Sequence, residues 1–232
     1  MTEVAITIIG GGVVGCALAY ELSKSIDDVV LIESNSRICG ENQSSRNSGV
    51  VHAGIYYDKR KSPLKAELCV HGNKMLYEFG EQHGIPIRNT GKLLVALNSL
   101  EEEYLDDVER VAAENNVPGV RFMSIDEARM LEPNISGHSA LYVPTSGIVE
   151  PTSLVSKLYA LAAKQGTIFQ LGSKVVKITP QTSSFEVTTL TAGYGITSFE
   201  SDMVINAAGL HSDEIARMVN PSFGYEIYPV RG

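Results

Sequence analysis

Gly10-Gly11-Gly12-Val13-Val14-Gly15 spaces three glycines as Gly-x-Gly-x-x-Gly, and Glu33 follows them. Each of these residue types has a physical task in gripping a dinucleotide. Gly10 makes a tight turn, Gly12 lets backbone N–H groups approach a pyrophosphate, and Gly15 packs a helix closely on a strand. Val13 and Val14 then form the first helical turn, whose N–H groups and dipole favour an anion. Glu33 comes about twenty residues after the glycines, where an acidic side chain takes the ribose hydroxyls, with Ser34 beside it. An acid here argues against a 2′-phosphate. The letters alone also fit a tight turn that binds nothing. Their weight comes from context, since they follow an apolar run at 4–9 and open a helix. These features do not separate FAD from NAD.

Ser44-Ser45-Arg46-Asn47-Ser48-Gly49-Val50-Val51-His52-Ala53-Gly54-Ile55-Tyr56-Tyr57 resembles the second FAD-contact stretch of the D-amino-acid-oxidase-like flavoenzyme superfamily. Val204-Ile205-Asn206-Ala207-Ala208-Gly209 resembles its late strand and turn, which returns to the dinucleotide. Val175-Val176 stands where that superfamily offers backbone to adenine. The resemblance implies FAD as cofactor. It places Ser44, Ser45, Arg46, Asn47, Ser48 and His52 in the flavin-contact loop, Val176 at the adenine, and Ala207, Ala208 and Gly209 at the return turn.

A narrower resemblance joins residues 47–57 to Leu64-Lys65-Ala66-x-Leu68-Cys69, Gly91-Lys92-Leu93-Leu94-Val95-Ala96, Glu132-Pro133, Gly147-Ile148-Val149 and Pro229-x-Arg231-Gly232. In order and spacing these are similar to the L-2-hydroxyglutarate dehydrogenase/oxidase family. The implied activity is oxidation of a small 2-hydroxy acid, L-2-hydroxyglutarate first, to the 2-oxo acid, with the electron acceptor unspecified. Amino acids, N-methylated amines and glycerol 3-phosphate are the superfamily's other substrates, and a non-catalytic flavin-binding subunit is a further alternative. Arg46 stands where better-known members carry His, and Glu150-Pro151-Thr152 where they carry a Tyr-Arg pair. The family is longer, so the chain is expected to be truncated and to lack the C-terminal segment that covers the flavin.

Oxidising a 2-hydroxy acid removes hydride from the carbinol carbon and a proton from its hydroxyl. A base with a pKa near working pH suits the proton, and His is the commonest choice. His52 is the candidate, with a structural hydrogen bond or a covalent flavin link as its alternatives. The planar fork of Arg46 fits a carboxylate or a pyrophosphate, and a loop-fixing salt bridge is the plainer role. Tyr56 and Tyr57 are candidates to line a substrate cavity. His71, His83 and His138 read as ordinary helix or loop residues, and His211 as a helix cap. The five histidines show no metal-like spacing, and no Gly-x-Ser-x-Gly elbow occurs.

These residues need a scaffold. The expected fold is α/β: a Rossmann-type FAD-binding domain carrying an inserted mixed α+β substrate domain. Residues 4–9, 13–24 and 28–33 read as strand, helix and strand, a parallel βαβ unit. Leu64, Leu68, Met75, Leu76 and Phe79 mark one face of a helix that stops near Gly84. Ser99-Leu-Glu-Glu102 and Ser124-Ile-Asp-Glu127 read as capping boxes opening helices. Helices are also expected at 154–165 and from about Ser212, and strands at 92–97, 140–149, 202–206 and 227–230. The expected division is 1–80 and 151–219 for the FAD-binding domain, 81–150 for the substrate domain, and 220–232 for a return to the latter.

A net charge of −8 over 232 residues argues against a nucleic-acid partner. The basic run Lys59-Arg60-Lys61 reads as a solvated loop. Cys16, Cys39 and Cys69 are too scattered for a disulfide framework, which points to a reducing, cytoplasmic setting. Cys16 and Cys69 read as small core residues. No apolar run approaches the ~20 residues of a membrane span, while peripheral membrane contact stays open.

Overall fold

The computed structural model describes residues 3–230, so Arg231 and Gly232 of the C-terminal motif lie outside the described residues. In chain order the elements begin β1 (Glu3–Ile9), α1 (Val13–Leu22), β2 (Val29–Glu33), β3 (Val50–Val51), α2 (Pro63–His83) and β4 (Ile87–Arg88). They continue with β5 (Lys92–Ala96), α3 (Ser99–Glu114), β6 (Arg121–Ser124), α4 (Ile125–Leu131), β7 (Ser139–Val143) and β8 (Gly147–Val149). The last are α5 (Pro151–Lys164), β9 (Ile168–Leu171), β10 (Ser173–Pro180), β11 (Phe185–Thr191), β12 (Gly195–Asn206) and α6 (Ser212–Val219). Among the described residues no helix is long and apolar enough to cross a membrane.

The chain forms two compact units, 1–47 with 151–232, and 48–150. The first crossing therefore falls at 47/48, not at 80/81 as the sequence suggested. Residue 80 lies inside α2, and that helix packs wholly within the second unit. Gly80 sits so close to β4 that a Cβ there would come within 2.6 Å of Ile87, and Asn73 and Tyr77 both donate to the Thr145 carbonyl. Residues 220–230 also belong to the first unit.

The first unit is built on a six-stranded sheet of order β10-β11-β12-β1-β2-β9. β12, β1, β2 and β9 run parallel, and β10, β11 and β12 are antiparallel neighbours. β2 is buried along its whole length, as expected of a parallel strand covered on both faces. Its core gathers Val4, Ile9, Val30, Ile32, Val175, Ile178, Val187 and Ile215. Two hydroxyls, Thr7 and Ser201, are fully buried in this sheet. Thr7 donates to Ser201, which donates to the Met203 carbonyl, so neither is left unpaired.

The second unit holds two three-stranded sheets, β3-β8-β4 and β5-β7-β6. Leu105, Val108 and Ala112 of α3 pack on Ala96, Leu141 and Val143 of the second sheet, together with Ala53 and Ile55. Asn98, one residue ahead of the expected Ser99, caps α3 by accepting from the Glu101 N–H. Asn and Ser serve equally as caps; Glu101 accepts from the Leu97 N–H, one residue before the cap, so the expected capping box does not close. The box at Ser124 and Glu127 forms as read.

Three readings are corrected here. On α2, Leu64, Leu68 and Met75 are exposed. Leu76 and Phe79 of the expected face are half-buried, and the helix also turns inward Ala66, Val70, Asn73, Tyr77 and Gly80, mostly small or polar residues. Cys69 is half-buried, unlike Cys16. Among the described residues 227–230 form no strand, and Tyr228 and Val230 are exposed.

Candidate functional site

A cavity of about 480 Å³ opens in the first unit, within the range of small-molecule sites. Three backbone turns meet there. The first is the glycine turn between β1 and α1. Gly10 has φ +110°, and a Cβ there would lie 2.4 Å from the Ala207 carbonyl oxygen, so only glycine fits. Gly15 holds α1 onto the turn, since a Cβ there would lie 1.9 Å from the Gly10 oxygen. The second turn, Ala207-Ala208-Gly209, leaves β12 and is tied to β1 by Ala207 N–H donating to Ile9 O at 2.9 Å. The third carries Ser44, whose Oγ accepts from the Val13 N–H at 2.9 Å.

The helix N-terminus in this cavity carries no side-chain cap and no acid in its first turn. Ser44 satisfies the Val13 N–H, and the remaining first-turn donors are left for an external acceptor. Val14 is 60% exposed in the cavity wall, an apolar surface that a ligand would cover.

Glu33 ends β2 only 5% exposed. One carboxylate oxygen accepts from the Gly11 N–H at 2.6 Å, and the other from the Asn35 N–H and Nδ2, each at 2.8 Å, and from Ser34 Oγ at 3.1 Å. Four donors thus fix an acid at the cavity edge and tie β2 to the glycine turn. Beneath the turn, burial first, then the nearby Cys39 and Glu33, push the Cys16 thiol up to about 12. It stays protonated and donates to the Gly11 carbonyl, a packing role rather than a reactive one.

Of the expected contacts, Gly10, Gly12, Val13, Val14, Glu33, Ser34, Ser44, Ala207, Ala208 and Gly209 line this cavity. Gly15 does not line it and acts through packing. Val176 is corrected to its neighbours. Ser173, Lys174 and Val175 form the wall, and the regular alternation along β10 turns Ser173 and Val175 inward and leaves Val176 exposed. Ser45, Arg46 and Asn47 hold the loop rather than the wall. Ser45 Oγ accepts from the Gly40 N–H at 3.0 Å, and Arg46 donates from Nε to the Gly40 carbonyl at 2.9 Å. Asn47 Nδ2 donates to the Ser44 carbonyl. Arg46 thus fixes the loop through a carbonyl, not a salt bridge.

Sequence reading missed Asn35, Asn42 and Gln43 in the wall, and also His211 and Glu214, which pair at 2.8 Å. Asn42 carried a usable signal, since an Asn caps the short turn at Gln43–Ser45 by accepting from the Ser45 N–H.

Ser48 and His52 belong to the second unit. There the segment after β3 is pinned from several sides. Asn115, 8% exposed, donates to the Gly54 and Tyr57 carbonyls, both at 2.8 Å. Asn73 donates to the His52 carbonyl at 3.0 Å. Gly54, at φ +98°, leaves no room for a Cβ beside Val70. The His52 imidazole is exposed and meets the Tyr56 ring edge-on at 6.5 Å between centroids. Burial of part of the ring, then the Lys92 and Lys65 charges, hold its pKa below the ordinary 6.5. The ring is therefore neutral at neutral pH and able to accept a proton.

A parallel sheet closed by a glycine turn, an uncapped helix N-terminus and a buried strand-end glutamate define a Rossmann-type dinucleotide-binding protein. Residues 5–232 match the FAD-dependent oxidoreductase family, and the chain belongs to it. FAD is the cofactor of this family, and the cavity fits a dinucleotide: the glycine turn leaves room for close backbone approach, α1 begins in its wall, and the Glu33 carboxylate lies at its edge. The chain is 34% identical to L-2-hydroxyglutarate dehydrogenase of Indibacter alkaliphilus, over 98% of its own length and 56% of the relative's. It is 32% identical to glycerol 3-phosphate dehydrogenase of Caloramator mitchellensis, over 98% and 46%. Among solved structures, L-α-glycerophosphate oxidase of Mycoplasma pneumoniae with FAD bound superimposes with a TM-score of 0.86 at 28% identity, covering 94% of this chain and 57% of that one. The chain spans about half the length of the curated relatives it matches.

Proposed function

We propose that the protein is an FAD-dependent dehydrogenase or oxidase that converts a small 2-hydroxy acid, L-2-hydroxyglutarate first, to the 2-oxo acid. The observation that carries this reading is similarity to an L-2-hydroxyglutarate dehydrogenase across 98% of the chain, joined to a neutral imidazole on a rigidly held segment. When bound, FAD supplies a two-electron acceptor for the hydride leaving the carbinol carbon. His52 takes the hydroxyl proton as that C–H bond breaks and the C=O bond forms. Asn73, Asn115 and Gly54 hold the His52 segment in place. In the first unit, Gly12 and Val14 present the first-turn backbone to pyrophosphate, and Glu33 faces the ribose. Arg46 keeps the 40–46 loop in register so that Ser44 stays on α1. Three free cysteines suit the reducing, cytoplasmic setting that the sequence suggested.

A second reading, oxidation of glycerol 3-phosphate, is favoured by the Caloramator relative and the Mycoplasma structure. Anaerobic mixing of the natural gene product with candidate substrates separates the two. L-2-hydroxyglutarate should bleach the flavin absorbance much faster than its D-enantiomer, sarcosine or glycerol 3-phosphate. Fast bleaching by glycerol 3-phosphate alone would establish the second reading, and bleaching by an amine alone would remove both.

A further inference from the structure

Two lysines converge on His52 without a carboxylate to neutralise either. Lys92, the first residue of β5, donates from Nζ to Tyr56 Oη at 2.8 Å. Lys65, near the start of α2, sets its Nζ 4.4 Å from the Tyr57 ring centre. Both charges bear on the His52 imidazole. Among the described residues neither lysine makes an ion pair. The chain has 27 Asp and Glu against 19 Lys and Arg, so two ammonium groups that act on one imidazole without an ion pair of their own call for a cause. The neighbouring basic run offers a contrast, because Arg60 is clasped by Asp58 and Glu114. Lys92 is also half-buried on a strand fully laddered to β7, which limits its freedom. Tyr56 accepts from Lys92 with its oxygen and keeps its own O–H free to donate. Lys92 and Tyr56 therefore place two donor groups beside the His52 ring, with the Lys65 charge close enough to act on the same imidazole.

We propose that Lys92, with Tyr56 and Lys65, holds the anionic tail of the substrate, the carboxylate or phosphate remote from the carbinol carbon. A compact ammonium serves either anion as a point charge. This site selects dicarboxylates or phosphorylated alcohols over monocarboxylates and amines. It rests on the reading of His52 as the proton acceptor, since it places the substrate's tail beside that ring.

The test uses the natural gene product loaded with FAD, titrated with the unreactive dicarboxylate glutarate and the monocarboxylate pentanoate while the flavin absorbance is followed. Lys92→Met keeps the stem and removes the charge. It should weaken glutarate by about 10- to 100-fold, the worth of one hydrogen bond to a charged group, and leave pentanoate unchanged. Lys92→Arg should recover most of the loss. Equal losses for both ligands, or no loss for glutarate, would overturn the site. Turnover separates this proposal from the functional one. If wild type oxidises glycerol 3-phosphate but not L-2-hydroxyglutarate, the 2-hydroxy acid reading falls. A KM for glycerol 3-phosphate raised 10- to 100-fold by Lys92→Met still supports the lysine site, and an unchanged KM for that substrate removes it.

Discussion

Replacing Gly15 by alanine would put a Cβ 1.9 Å from the Gly10 carbonyl oxygen, where ordinary contact begins at 3.4 Å. One side must give by the difference, about 1.5 Å. Gly10 cannot retreat. It is wedged against the 207–208 backbone, and its N–H is bonded to the Ile32 carbonyl at 2.9 Å. The strain therefore falls on α1, a 10-residue helix whose first turn lines the cavity. Overpacking of this kind typically costs about 1–3 kcal/mol. A shift of that size also pulls at least one charge-assisted hydrogen bond from the pyrophosphate, a further loss of about 1.5–3 kcal/mol in binding, roughly 10- to 150-fold. Urea unfolding followed by circular dichroism reads the first effect, and flavin release on dialysis reads the second. Gly72→Ala is the control. That glycine sits inside α2 with nothing within 4 Å of its would-be Cβ, so alanine should stabilise by roughly 0.5–1 kcal/mol. If Gly15→Ala unfolds at the wild-type urea concentration and keeps its flavin as tightly, the packing argument fails.

Glu33→Gln swaps a carboxylate satisfied by four donors for an amide whose NH₂ faces some of them. It should lower both the melting temperature and flavin affinity, the latter by at least about tenfold, and wild-type flavin affinity would count against the ribose assignment. His52→Gln should leave flavin bound and slow its reduction by ~10²–10⁴-fold. Since only the neutral ring accepts a proton and its pKa lies below 6.5, kcat/KM should climb with pH through a value under 6.5 and then level off. Lys92→Met should move that limb to higher pH, and a limb falling with rising pH in this window would contradict the assignment. Arg46→Lys keeps the charge but loses the Nε that donates to the Gly40 carbonyl. Flavin retention should drop severalfold with substrate KM unchanged, whereas a raised KM with tight flavin would return Arg46 to the substrate.

Much of the first unit was legible because its signals are local. A tight turn needs glycine at Gly10, a helix pressed on that turn needs glycine at Gly15, and an apolar run flanked by them is a buried strand. Glu33 followed from its distance along the chain alone. The same local logic identified the capping box at Ser124. Other features depended on partners that sequence order does not reveal. Asn115 lies about sixty residues from the segment it pins, and its two hydrogen bonds to Gly54 and Tyr57 exist only after α3 has packed. The cavity wall falls on Val175 and not Val176 because the pairing of β10 with β11 sets which of the alternating side chains turn inward. A strand is a pairing rather than a composition, so the apolar run at 227–230 forms none. On α2, hydrophobicity marked Leu64, Leu68, Met75, Leu76 and Phe79, of which only Leu76 and Phe79 are half-buried; the rest of the packed face was set by how closely β4 and the Thr145 carbonyl approach, which small Gly80 and polar Asn73 and Tyr77 allow. Residue type and spacing thus determined the dinucleotide turn and the parallel unit around it. Tertiary contact alone decided where the units divide and which donors surround His52, because those interactions join residues far apart in the chain.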